Sequence, residues 1–193
     1  MNIFATHLCP KLSAKVLDDK RVIKMILESA QLLCNALWVH SSLLAIPYKP
    51  THMNHPCSIW VRTSSANYLW LVDHFEALLA EYQNRYGKIH ACAQHLVFFR
   101  RMYHVIPHVP GTPFANCTPY KSLQVNEAYK RVLIDKWTAD KRKPTWYRRG
   151  PVQRANRSTY PFQVWQSFGP VSIKESGGTW LLVRQFQGLT RTK

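Results

Sequence analysis

One carboxylate stands among cations in the stretch LDDKRVIKMILESAQLL, residues 17–33. On a helix, Lys24 lies one turn and Arg21 two turns before Glu28, so the three share one side. The plainest reading is an exposed Lys24–Glu28 ion pair, worth a few tenths of a kcal/mol. Scarcity argues for more. Only three acids occur in the first 70 residues, and the other two, Asp18 and Asp19, fall at the helix start, where they suit cap and dipole roles. A basic protein that meets a polyanion gains nothing from a lone carboxylate there unless it does chemistry. Stabilising a cationic intermediate and moving protons is the chemistry a carboxylate offers.

A second constellation is DKRKPTWYRRG, where Lys141, Arg142, Lys143, Arg148 and Arg149 flank Trp146 and Tyr147. Cations interleaved with aromatics suit distorted or single-stranded nucleic acid: the cations hold phosphates and the rings stack on exposed bases. The plain alternative is a surface turn with a tucked-in Trp. A third is THMNHPCSIW, with His52, His55 and Cys57. Its spacing fits no familiar four-ligand metal site, so no metal is expected there. Histidines that touch phosphate or cap a neighbouring helix are the reading preferred. The chain has no P-loop, no Rossmann glycines and no convincing nucleophilic Ser or Cys arrangement.

The elements that must position these groups are mainly helical. Ile23, Ile26, Leu27, Ala30, Leu33, Cys34 and Leu37 follow helical spacing and predict a buried stripe on a helix over about 13–40. Arg21, Lys24, Glu28, Gln31 and Asn35 form its polar opposite line. Pro47, Pro50 and Pro56 mark a loop. A second helix is expected from near Ser58, with a restart at the caps Ser64 or Ser65 and a stop at Gly87. A third covers 89–104 and a fourth 123–141, separated by a proline-rich connection over 105–121. Past Pro151, the pieces YPFQVWQSF and GGTWLLVRQFQG suit a small hairpin or an arm. The expectation is a compact, mainly α domain over 1–150 and a basic C-terminal extension over 151–193.

The 193 residues suffice for one domain with a core, and 46% are hydrophobic. Net charge is +16. Residues 1–90 hold nine Lys/Arg against six Asp/Glu, and residues 91–193 hold seventeen against four, so the second half carries most of the excess. Such a field selects polyanions, nucleic acid first and an anionic membrane surface second. No segment is expected to reach transmembrane length, and MNIFATHLCP lacks the apolar run of a signal peptide. Cys9, Cys34, Cys57, Cys92 and Cys117 are scattered and odd in number, as free thiols in a reducing compartment would be. An intracellular, cytoplasmic protein is expected.

Four stretches in order give the chain a resemblance. The start MNI, then DKRVIKMILE, then WLVDHFEALLAEYQNRYG with Leu78, Leu79, Ala80, Glu81 and Arg85, and finally NEAY with a basic helix and KPTWYRRG resemble the phage endonuclease V type of pyrimidine dimer DNA glycosylase. Pro144, Thr145, Trp146, Tyr147 and Gly150 are the matching positions in the last. The resemblance covers about residues 1–150 by order.

It implies a DNA glycosylase with AP lyase activity. The N-terminal α-amine would attack C1′ of the damaged nucleotide, the base would leave, and β-elimination from the Schiff base would nick the strand. Glu28 falls on the family's catalytic Glu. Where the family exposes a Thr after Met removal, Asn2 here is bulky enough to block removal, so the amine of Met1 takes the nucleophile's place. Taking the resemblance and the residue readings together, the expected DNA contacts are Asn2, Arg21, Lys24, His52, His55, Lys136, Lys141, Arg142, Lys143, Trp146, Tyr147, Arg148 and Arg149. The implied partner is double-stranded DNA with a damaged or modified base, met by a monomer without metal or organic cofactor. Two other readings fit the same residues: a non-catalytic nucleic-acid-binding accessory protein, and a DNA base-modifying enzyme on the same frame.

Overall fold

The structure is a computed structural model that describes residues 2–42 and 45–147, together with the backbone of 171–176 and 179–184. The chain divides into two units, residues 1–157 and 158–193. Met1, Arg148, Arg149, the expected boundary at 150/151 and the piece at 160–168 lie outside the described residues.

The first unit is helical, as expected. Its elements are α1 (Pro10–Val16), α2 (Asp19–His40), α3 (Pro56–Thr63), α4 (Ser65–Tyr86), α5 (Leu96–Arg101) and α6 (Val125–Ala139). Short 3₁₀ turns, Ala91–His95 and Met102–Val105, flank α5. Helix α4 packs on α1, α2 and α3. Ile26, Leu33 and Leu37 of α2 and Tyr68, Leu71, Phe75 and Leu78 of α4 are fully buried in the core they share. Phe99 of α5 closes on Phe75 edge to face, with ring centroids 5.7 Å apart.

The helix ends follow the sequence signals. Ser64 Oγ accepts the Ala66 N–H and donates to the Val109 carbonyl. Gly87 ends α4 at φ 62°, a left-handed conformation that a Cβ disfavours. His55 caps α3 by accepting the Cys57 N–H on Nδ1, one of the two roles expected of the loop histidines.

Three expectations need correction. The single helix over 13–40 is two helices, broken at Leu17–Asp18. The cause lies 68 residues beyond Leu17. Arg85 of α4 donates to the Leu17 and Lys15 carbonyls at 2.7 and 3.4 Å and so caps the last turn of α1. Next, the apolar stripe is rotated. Ile23 and Leu27 are about two-fifths exposed. Val22, Met25, Ser29 and Leu32 take their places in the interior, and Asn35 of the polar line is fully buried. Asn35 exchanges hydrogen bonds with the Thr51 backbone and donates to Ser58 Oγ, anchoring the loop before α3. Finally, α2 is long and apolar enough to cross a membrane, against the expectation that no segment reaches that length, but 61% of its apolar window is buried in the fold. That burial is the signature of a core helix.

His74 of α4 is fully buried. Its Nδ1–H donates to the Pro10 carbonyl at 3.0 Å, and no well-formed hydrogen bond reaches Nε2 among the described residues. Burial pushes its pKa down to about 4. The unfolded chain, with an ordinary histidine near 6.5, therefore binds the proton that the folded chain refuses. Stability from this group is complete above pH 6.5 and is lost as pH falls towards 4, by roughly 3 kcal/mol. Denaturant titrations across this range should show His74→Gln flattening the acid limb by about one proton. An unchanged slope would assign acid sensitivity to other groups.

In the second unit, β1 (Val171–Ser176) and β2 (Thr179–Arg184) pair antiparallel, with Val171 opposite Arg184 and Ser176 opposite Thr179. The expected Gly-bounded piece at 177–188 supplies β2. Its partner among the described residues is 171–176.

Candidate active site

Residues 2–6 thread into the core: Ile3, Phe4, Ala5 and Thr6 are all buried. Asn2 shapes their entry. Its Oδ1 accepts the Ile3 and Phe4 N–H groups at 2.8 and 3.2 Å, and Phe4 sits at φ 52°. A bulky residue is held in the left-handed region only where its surroundings over-determine it. Here the Phe4 ring is buried edge-on against Tyr129 of α6, and Asn126 Nδ2 donates to the Ala5 carbonyl.

This bent segment delivers its first amide to Glu28. The Asn2 N–H donates to Glu28 Oε2 at 3.0 Å, and Lys24 Nζ lies 3.3 Å from Glu28 Oε1. The Lys24–Glu28 ion pair thus exists, but the same carboxylate also serves the start of the chain. A cleft of about 380 Å³ opens beside it, lined by Phe4, Lys20, Arg21, Lys24, Met25, Glu28, Lys136, Ala139 and Asp140. Among these lining residues four cations face two carboxylates, a balance that favours an anion.

The cations are not equivalent. Lys24 is about 70% exposed, and Lys136 is exposed on α6. Arg21 is buried, with Nη1 donating to Asp18 Oδ1 at 2.8 Å and Asp140 Oδ2 at 3.0 Å. Arg21 therefore ties the start of α2 to the end of α6. That bond, together with the Lys20–Asp140 pair, holds the Asp140 carboxyl below the usual carboxylate range. Lys20 and Asp140 line the cleft without having been singled out from sequence. Lys20 was legible, because Lys20, Lys24 and Glu28 are spaced four apart on one face.

Asp18 and Asp19 do more than begin a helix. Asp18 caps with its backbone only; its carboxylate is buried and accepts from Arg21 and from Trp137 Nε1. Asp19 accepts from Arg85, from Thr145 Oγ1 at 2.7 Å, and from the Tyr147 N–H at 3.1 and 3.0 Å. The KPTWY segment is thereby pinned to the first turn of α2. Trp146 is half-buried there, donates to the Val16 carbonyl at 3.0 Å and meets Trp137 edge to face, so the tucked-in alternative describes it. Tyr147, Lys141, Arg142 and Lys143 remain exposed.

His52, at φ 50°, is exposed and its ring hydrogen-bonds Thr51 Oγ1. His55 is half-buried, and burial lowers its pKa while the nearby Glu28 charge opposes that shift. A further group escaped sequence reading. Cys117, sixty residues from Cys57, places its Sγ 3.5 Å from Cys57 Sγ. The thiol pair shares a hydrogen bond that draws Cys117 down to about 6 and pushes Cys57 up.

Residues 1–94 match the model of the pyrimidine dimer DNA glycosylase family. The match takes in Asn2, Lys24, Glu28 and His55, and ends before α6 and the segment pinned to Asp19. No curated protein and no solved structure matches the chain.

Proposed function

We propose that this chain, whose residues 1–94 match the model of the pyrimidine dimer DNA glycosylase family, removes a damaged or modified pyrimidine from double-stranded DNA and nicks the strand at the resulting abasic site. The observation that carries the reading is the 3.0 Å bond from the Asn2 amide to Glu28 Oε2. Consecutive backbone nitrogens lie at most about 3.6 Å apart, so this bond supports the reading that Glu28 serves the amine at the start of the chain.

The α-amine lone pair attacks C1′, and the base departs with the electrons of its glycosidic bond. The sugar ring opens to a protonated imine. Loss of a C2′ proton then expels the 3′ phosphate by β-elimination. Glu28 opposes the positive charge of the sugar and imine and relays protons. An ordinary α-amine ionises near 7.7–8.0 and an ordinary lysine near 10.4, so the chain terminus supplies far more neutral amine at physiological pH. Lys24, Lys136, Lys141, Arg142 and Lys143 are exposed for phosphate contact, and exposed Tyr147 can stack on an opened duplex. Arg21, already bound to two carboxylates, acts by holding the cleft's shape.

Borohydride reduction during reaction with abasic duplex should trap one covalent adduct, and peptide mapping should place it on residue 1. Attachment at Lys24 or Lys20, which line the same cleft, would overturn the nucleophile assignment. Complete absence of an adduct, with steeply salt-dependent binding, would leave a nucleic-acid-binding protein without this chemistry.

A further inference from the structure

The cluster beneath the N-terminal segment has no part in the imine chemistry and does not depend on it. From its geometry we propose that His55, Cys57 and Cys117 form a binding site for one thiophilic divalent cation, with Zn²⁺ the physiological candidate. A ring nitrogen of His55 and the two sulfurs all lie within 4.8 Å of one another. Two thiolates on one tetrahedral Zn²⁺, each bonded at about 2.3 Å, stand about 3.8 Å apart. The observed separation of 3.5 Å needs a shift of only a few tenths of an ångström.

The supports are rigid on both sides. His55 and Cys57 occupy the N-cap and first turn of α3, so a helix sets their spacing. Cys117 sits in the irregular connection after α5, where its N–H donates to Tyr129 Oη at 3.3 Å. That hydroxyl donates in turn to the Ala115 carbonyl at 2.6 Å. Helix α6 therefore fixes the remote ligand. Cys57 is fully buried, whereas His55 and Cys117 are half-buried, which gives an ion a way in and leaves a fourth position for water.

The donor set selects the ion. Two sulfurs and one imidazole suit Zn²⁺ and its softer analogue Cd²⁺, and offer nothing to Mg²⁺ or Ca²⁺, which take oxygen ligands. One existing bond is in the way. His55 Nδ1 accepts the Cys57 N–H at 3.2 Å. Coordination by Nδ1 replaces that acceptor, and coordination by Nε2 moves the ring proton to Nδ1, so either mode costs α3 this cap. The ion also replaces the proton that the two thiols share in their hydrogen bond, and both thiol protons are released to solvent as it binds. Sequence spacing alone hides the site, because its third ligand comes from sixty residues downstream.

The test uses the full chain, reduced and freed of metal by chelator, titrated with Cd²⁺ and followed by the ultraviolet thiolate-to-metal charge-transfer band. The expected result is saturation at one ion per chain, displacement by Zn²⁺, and a Zn²⁺-dependent rise in melting temperature. Cys117→Ser should weaken binding by more than about 100-fold, beyond the 10–100-fold typical of losing an outer partner. Cys9→Ser, at an exposed thiol outside the cluster, should change nothing. His55→Asn keeps a helix-capping side chain but removes the imidazole, and should also weaken binding. A band that persists at full affinity in Cys117→Ser overturns the proposal. Should that variant fail to fold, the unaltered protein decides: no saturable Cd²⁺ uptake and no Zn²⁺ effect on melting overturn it. The proposal also fails if the reduced protein takes up no ion and hydrogen peroxide merely joins Cys57 to Cys117 as a disulfide.

Discussion

Glu28→Gln is expected to nick abasic duplex about 10³-fold more slowly than the unaltered protein and to bind the same duplex with affinity within about threefold. Glutamine keeps the shape and one carbonyl oxygen, so the Asn2 N–H retains an acceptor and the N-terminal bend survives. What disappears is the negative charge that a sugar cation or imine would face, together with the capacity to move a proton. Binding holds because the cations of the cleft are untouched, and losing a carboxylate beside phosphates relieves repulsion. Single-turnover nicking and fluorescence anisotropy separate the two quantities. Undiminished nicking removes Glu28 from the chemistry; a matched fall in nicking and binding makes it a structural residue.

The largest loss of stability is expected at Arg85. Its guanidinium is almost fully buried, with Nε and Nη2 on Glu81 Oε2 at 3.1 and 2.8 Å, and Nη1 on the Leu17 carbonyl and Asp19 Oδ1 at 2.7 and 3.2 Å. Arg85→Met fills much of the volume but strands the Glu81 carboxylate and the end of α1. Removing one partner of a buried ion pair costs about 3–5 kcal/mol, a large share of the roughly 5–15 kcal/mol that holds an ordinary domain together. Equilibrium denaturation should show this loss, and adding Glu81→Gln should recover part of it, since the stranded charge is then gone. A loss below about 1 kcal/mol would mean that water reaches these groups.

What could be read from the chain alone is what depends on neighbours in sequence. Ser64, Gly87 and the prolines set helix ends through their own backbone preferences, and Glu28 stood out because so few acids surround it. What could not be read depends on remote partners. The break at Leu17 needs Arg85. The inward turn of Asp18 needs Trp137, 119 residues away. Ile23 and Leu27 have helical spacing, but which stripe faces the core is decided by α3 and α4. Asp140 joins the cleft because α6 ends beside α2. Trp146 is taken up by the Val16 carbonyl, a contact 130 residues apart in sequence.

The bend at Asn2 also sets a concentration. On the proposed mechanism, the attacking amine is one peptide unit from an amide held on Glu28, a reach of only about 3.5 Å. One group in a sphere of that radius corresponds to about 10 M, before any orientation is counted. A soluble amine present at millimolar levels meets the same carbon thousands of times less often. Extending the chain by even a few flexible residues ahead of Met1 would dilute that advantage and leave the helices as they are.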